Sequence, residues 1–223
     1  IQRKHISCWT GIELNELSER KEEVKEKLEP FKQDRGNLII KKMASDGTTV
    51  AKIKHYVRKL ITRGIRPDVI ILDYIDCVVP SRIFTDEYAG EGNVMREFET
   101  LVHEFDMVGW TAVQGNRSSI GADVVEAHQI GGSIKKGQIG HFIMSIAKTL
   151  EQKESGRATI AVLKSRFGKD GVIFEDCVFD NGKVYIDTDD QVSFLGFEDI
   201  KKEKKANRVL DAIKKRQEKL NNN

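Results

Sequence analysis

Cysteine is scarce in this sequence: Cys8, Cys77 and Cys177 stand far apart, with no C-x-x-C pair. That pattern offers neither a disulfide framework nor a zinc site, and reduced thiols are the expectation. Long apolar runs are missing too, and none approaches the roughly 20 residues of a transmembrane span. No charged-then-apolar leader opens the chain, so a cytoplasmic protein is expected. The first residue, Ile1, leads us to expect that the natural chain continues upstream. Charge of one sign is also lacking, because 37 basic and 35 acidic residues leave a net charge of +2. A strongly basic field over the whole chain is thereby excluded, and any nucleic-acid contact must come from local placement of Arg and Lys. No internal repeat is visible. Most telling is the absence of the phosphate-binding pattern G-x-x-x-x-G-K-[ST] anywhere in the 223 residues. Gly132-Ser-Ile-Lys-Lys-Gly137 comes nearest, but Gln138 stands where the lysine is needed.

What is present reads as an α/β domain. A hydrophobic content of 39% suffices for one large core or two small ones. Residues 12–33 place Leu14, Leu17, Val24 and Leu28 at helical intervals among charges, which predicts an amphipathic helix ending near Pro30. Residues 37–43 predict a short strand. Thr48 or Thr49 is placed to cap a helix over about 50–63, with Val50, Ile53, Val57 and Leu60 on one face. Strand 68–74 follows, and its run VIIL predicts burial on both faces. A long loop over 75–95, a helix over about 94–105 and a strand over 107–114 come next. A second loop over 115–136, with a short helix near 124–128, precedes buried strands at 141–147 and 158–166. Asp170-Gly171 and Asn181-Gly182 predict hairpin turns around strands 173–179 and 183–187. Alternation first and hairpins last imply a mostly parallel sheet with antiparallel edge strands. Residues 1–196 form this core; the charged tail 197–223 reads as a thin-striped helix, either solvated or used for docking or DNA tracking.

Three features carry chemistry. Asp73 closes VIILDY, at the strand's C-terminal end where open α/β sheets bind ligands. It has the form of a Walker B carboxylate holding Mg²⁺ against nucleotide phosphates, although strands also end in ordinary aspartates. Gln114 closes the next strand before a Gly/Asn/Ser loop; its amide suits a γ-phosphate contact, or merely a strand cap. Lys164 and Arg166, at i and i+2 of one strand, project together. Paired cations there suit neutralisation of transition-state charge on a neighbour's nucleotide, or simply a solvated hairpin. His103, His128 and His141 lack metal-ligand spacing.

In this order the segments VIILDYIDCVVPSR, GWTAVQGNR, IGGSIKKGQIGHFIMSIA and LKSRFG resemble the DnaB-like replicative helicases, nearest those of tailed phages. The stretch NLIIKKMASDGTTVAKIKHYVRKL resembles the strand, turn and helix ahead of that family's Walker B segment. The resemblance covers about residues 1–190. It implies a RecA-like ATPase core binding ATP and Mg²⁺, with Asp73 and Gln114 in cis and Lys164 and Arg166 acting in trans on a neighbouring subunit. It further implies a homo-oligomeric, hexameric ring on single-stranded DNA, with a primase or helicase loader as partner. The family's Walker A loop and catalytic glutamate lie upstream of the point where this sequence begins, so this chain alone is expected to hydrolyse ATP very poorly. DNA contacts are implied on loops 77–95 and 115–136: Arg82, Arg117, Lys135, Lys136 and the backbone near Gly131 and Gly132. Gln129-Ile130 stand where the family often has Arg-Glu. Scarce aromatic residues in both loops favour tracking of the DNA backbone over base stacking. Two alternatives stay open: another RecA-fold ATPase of recombinase or clock type, and a non-hydrolysing DNA-binding or ring-assembly module.

Overall fold

The computed structural model describes residues 2–32, 36–44, 46–119, 122, 124–131 and 134–188. The tail 197–223 and Gly132 lie outside the described residues. The first layer begins with α3 (Val50–Ile61), following two short N-terminal helices, α1 (Gln2–Thr10) and α2 (Lys21–Leu28). Thr49 caps α3, its hydroxyl accepting from the Lys52 N–H at 3.3 Å. Val50, Ile53, Val57 and Leu60 line its buried face, as their 3–4 residue spacing dictates. The chain continues through β1 (Val69–Leu72), α4 (Glu87–Glu104) and β2 (Val108–Thr111). β1 and β2 pair in parallel, Leu72 opposite Thr111. Their shared core consists of Val50, Ile53, Ile75, Val78, Val94, Phe98 and Leu101, with Ile70 and Leu72 packed on it. Gly109 permits the close approach of α4 to β2: a Cβ there would stand 2.8 Å from Val102 and 3.1 Å from Phe98.

The second layer is local in sequence. α5 (Ile134–Ile139) leads into β3 (Phe142–Ala147), then α6 (Leu150–Ser155), β4 (Arg157–Ser165), β5 (Ile173–Asp180) and β6 (Tyr185–Asp187). β3, β4, β5 and β6 form an antiparallel sheet in that order. Thr149 and Gln152 make a reciprocal capping box at the start of α6. Ala147, Ala158, Ile160, Ala161, Val162, Ile173 and Cys177 are the buried apolar residues of the antiparallel sheet. A ring contact between Trp110 and Phe142, 6.0 Å between centroids, joins the two layers. α1 docks on the last hairpin turn, where the Ser7 hydroxyl sits between the carbonyls of Ile12 (2.6 Å) and Gly182 (3.2 Å).

Several expectations change. The sheet is not mostly parallel: one two-stranded parallel pair stands beside a four-stranded antiparallel sheet. VIIL is buried on one face only; Val69 and Ile71 are exposed, as are their register partners Val108 and Trp110. β3 likewise exposes Phe142, Met144 and Ile146 on alternate positions, so it is not a fully buried strand. Residues 12–33 form no single helix, because the chain turns at 11–15 to lay α2 back beside α1. Residues 37–43 join no sheet. α4 starts seven residues earlier than expected, at Glu87, capped by the Asp86 carboxylate accepting from the Tyr88 N–H. Gly90, Gly92 and Asn93, read as loop residues, lie inside it, and Gly90 packs against Pro80 and Phe84. Packing there overrides the poor helix propensity of glycine.

Candidate nucleotide and nucleic-acid site

Parallel pairing puts the ends of β1 and β2 on one edge. Asp73 follows β1 directly and is exposed; Gln114 follows β2 by three residues. The Thr111 hydroxyl donates to the Leu72 carbonyl at 2.9 Å, pinning the two strand ends together. The Gln114 amide nitrogen lies 3.3 Å from the Tyr74 hydroxyl, the residue beside Asp73. The two residues named from separate motifs thus share one polar edge.

Asp76, which the sequence reading passed over, organises this edge. One of its oxygens accepts from the Gln114 backbone N–H at 3.3 Å. The other accepts from the Lys136 ammonium at 2.5 Å, and Lys136 also reaches Glu91 at 2.8 Å. The Lys136 side chain is only 5% exposed. Burial alone pulls its pKa down, but the hydrogen bonds to Asp76 and then Glu91 outweigh that and hold it above its ordinary value. The inward ammonium differs from the expected phosphate contact at Lys136, because two carboxylates in reach stabilise a buried cation. A signal for Asp76 existed in the sequence, a second acid three residues past Asp73. The Tyr74 hydroxyl titrates above its usual range, through its hydrogen bond with Cys77 and the negative charge of Asp76 and Asp73 nearby.

The loop after β2 returns to it. Gly131 N–H donates to the Gln114 carbonyl at 2.8 Å, and Asn116 N–H donates to the Gln129 carbonyl at 2.8 Å. Gly131 is required sterically, since a Cβ would come within 2.4 Å of the Gln114 oxygen. Gln129 is buried; its amide donates to the Ser118 carbonyl at 2.7 Å and accepts from the Glu126 N–H at 2.8 Å. The residue that departs from the helicase pattern thus braces the loop from inside.

Lys164 lies near the end of β4, Arg166 just beyond it. Both reach the C-terminal end of α5: the Lys164 ammonium donates to the carbonyls of Gly137 (2.9 Å) and Gln138 (2.8 Å), and Arg166 approaches Gln138 at 3.5 Å. The shared acceptor shows that the two cations project to one side, as their i, i+2 spacing requires. Burial, then the neighbouring Arg166, holds the Lys164 pKa below its ordinary value. This pair sits on the antiparallel sheet, while Asp73 and Gln114 sit on the parallel one. Arg82, Arg117 and Lys135 are exposed; the Arg82 guanidinium lies over the Phe84 ring, 5.4 Å from its centroid, and approaches Asn93 at 3.4 Å.

Among the described residues no group of three or more His, Cys, Asp or Glu is arranged to hold a metal ion. The exposed Asp73 carboxylate at a strand end fits a more sparing mode. Mg²⁺ typically keeps several waters and takes one or two carboxylates plus phosphate oxygens.

No family model matches the sequence, and no curated protein matches it. Solved structures do. A DnaB-like replicative helicase, described together with its interactions with primase, superposes with a TM-score of 0.66 at 14% identity, over 82% of this chain and 46% of that one. The ATPase domain of a phage helicase superposes with a TM-score of 0.67 at 13% identity, over 84% of this chain and 69% of that one. The chain shares an α/β fold with these two structures. It spans about half the length of the first structure and about two thirds of the second. Within that fold, the polar edge lies at the C-terminal ends of parallel strands, where open α/β sheets bind ligands. No helix among the described residues is long and apolar enough to cross a membrane.

Proposed function

We propose that this chain is part of a RecA-like, ATP-dependent replicative DNA helicase motor that moves single-stranded DNA through a homo-oligomeric, hexameric ring. Asp73 would hold Mg²⁺ on bound ATP, and Gln114 would contact the γ-phosphate. Lys164 and Arg166 would serve the nucleotide of a neighbouring subunit. A primase or helicase loader is the partner class that the reading implies. The observation that carries it is the convergence of Asp73 and Gln114 at one edge of a parallel strand pair, with the Gln114 carbonyl bonded to Gly131 of the following loop. That bond gives loss of a phosphate contact a direct route into the loop that would follow DNA. Arg82, Arg117 and Lys135, with the backbone at Gly131 and Gly132, are the proposed DNA contacts. Binding there would be read as a salt dependence.

The phosphate-binding loop and the catalytic base would come from upstream polypeptide. The exposed apolar face of Val69, Ile71, Val108 and Trp110 supports such completion, because parallel sheets are normally covered on both faces. The missing G-x-x-x-x-G-K-[ST] favours a second reading, a non-hydrolysing DNA-binding or ring-assembly module.

DNA-stimulated ATP hydrolysis by the natural full-length protein separates the two. The motor reading expects turnover that collapses in Asp73→Asn and Gln114→Ala. It also expects Arg166→Ala subunits to poison rings when mixed with wild type. A full-length protein that binds DNA but turns over no ATP leaves the module reading standing.

A further inference from the structure

α5 (Ile134–Ile139) touches both chemical ends of the molecule with consecutive residues. On one side the buried Lys136 ammonium lies between Asp76 and Glu91, and the second oxygen of Asp76 accepts from the Gln114 N–H. On the other side the next two carbonyls, of Gly137 and Gln138, take the Lys164 ammonium, and Gln138 also takes Arg166. We propose that α5 is a rigid link between the Gln114 edge and the Lys164/Arg166 pair. In this link Lys136 is the positioning residue that anchors the helix, and Lys164 is the cation that the helix holds.

The physical reasons are local. A six-residue helix is too short to bend, so displacement at Lys136 must reach residues 137 and 138, whose carbonyls end the helix. Carbonyls at a helix C-terminus bind cations well. A Lys164 ammonium bonded to two of them is engaged with its own chain and withheld from any outside phosphate. The anchor is strong because the nearly buried ammonium faces two carboxylates on different elements: Asp76 in the turn after β1, and Glu91 on α4. Movement of the Gln114 backbone changes the hydrogen bonding of Asp76 and hence the hold on Lys136. The significance for a neighbouring nucleotide rests on the motor reading above; the mechanical link does not.

The test needs no nucleotide, so its failure and that of the motor reading are distinguishable. The folded chain is treated with an acetylating N-hydroxysuccinimide ester, and modification of each lysine is followed by peptide mass spectrometry. Lys136→Met and Asp76→Asn should raise the rate at Lys164 by about threefold or more. Lys59 and Lys183 should keep their rates, and Lys136→Arg should restore protection at Lys164. Linkage demands the reverse as well: Lys164→Met should raise the rate at Lys136. If Lys136→Met unfolds, all lysines react together. Asp76→Asn, which leaves Glu91 as partner, and the partly exposed Lys164→Met then decide. An unchanged Lys164 rate in Asp76→Asn, or an unchanged Lys136 rate in Lys164→Met, overturns the link.

Discussion

The β1–β2 layer and the β3–β6 layer differ in how their strands are brought together and in what they present at their ends. β1 and β2 are four residues each, and their pairing depends on an 18-residue helix that returns the chain to run parallel. The antiparallel strands are mostly longer, with β4 reaching nine residues, and each pairs with the next strand in sequence order. The first layer ends in an acid and an amide, Asp73 and Gln114. The second ends in two cations, Lys164 and Arg166. Crossover connections place strand C-termini side by side, which gathers polar groups from distant segments. A hairpin instead gathers groups already close in sequence. The acidic edge therefore depends on the helical core beneath it, and the cationic end depends mainly on strand register.

That dependence can be broken most forcefully at Phe98, which is 3% exposed beneath both short strands. Phe98→Ala should cost about 3–5 kcal/mol in denaturant unfolding. In hydrogen exchange, β1 and β2 should lose protection before β4 and β5; simultaneous loss would mean the layers are one cooperative unit. Gly131→Ala probes the join between β2 and its loop. Forcing a Cβ toward the Gln114 carbonyl should cost about 1–3 kcal/mol. Exchange at the Asn116 amide should rise, with β4 unaffected. Thr49→Ala removes the hydroxyl cap of α3 and should cost about 1 kcal/mol. A chemical melt monitored by helix content measures it, and an unchanged midpoint would show that the α3 face alone holds the helix.

The smallest effect is in alkali. The Lys136 pKa is raised above its ordinary 10.5, so its stabilising contribution is complete below that pH and fades as pH rises through the folded-state value. The stability gap between wild type and Lys136→Met should therefore hold from neutral pH to about 10 and narrow above it. A gap constant through alkaline pH would show that Lys136 acts through packing rather than charge.

The pattern of legible features follows the range of the forces involved. The α3 face and its Thr49 cap, both hairpin turns, the strands that precede Asp73 and Gln114, and the strand that carries Lys164 follow from local periodicity, capping and turn chemistry. The early start of α4 does not, because Gly90 and Gly92 are poor helix formers that only close packing retains. The break in residues 12–33 is equally opaque, since α2 folds back beside α1 although the charge pattern would allow one continuous helix. Among the site residues, Asp73, Gln114, Lys164 and Arg166 are named by strand ends and spacing. Asp76 and Glu91 meet their shared partner only in the fold, because Lys136 lies 60 and 45 residues away in sequence.

By itself the sequence determined that the chain is an α/β domain, roughly where α3, β1, β2, β4 and β5 lie, and which polar residues end or follow those strands. It also determined that the phosphate-binding pattern is absent from this chain. Only the tertiary structure decided that the sheet divides into a parallel pair and an antiparallel meander, and that Lys136 turns inward to Asp76 and Glu91. It likewise decided that Lys164 rests on the end of α5. The reason is that periodicity and capping act within a few residues, whereas strand partners and the partners of a buried charge are chosen by whatever the whole fold brings within hydrogen-bonding distance.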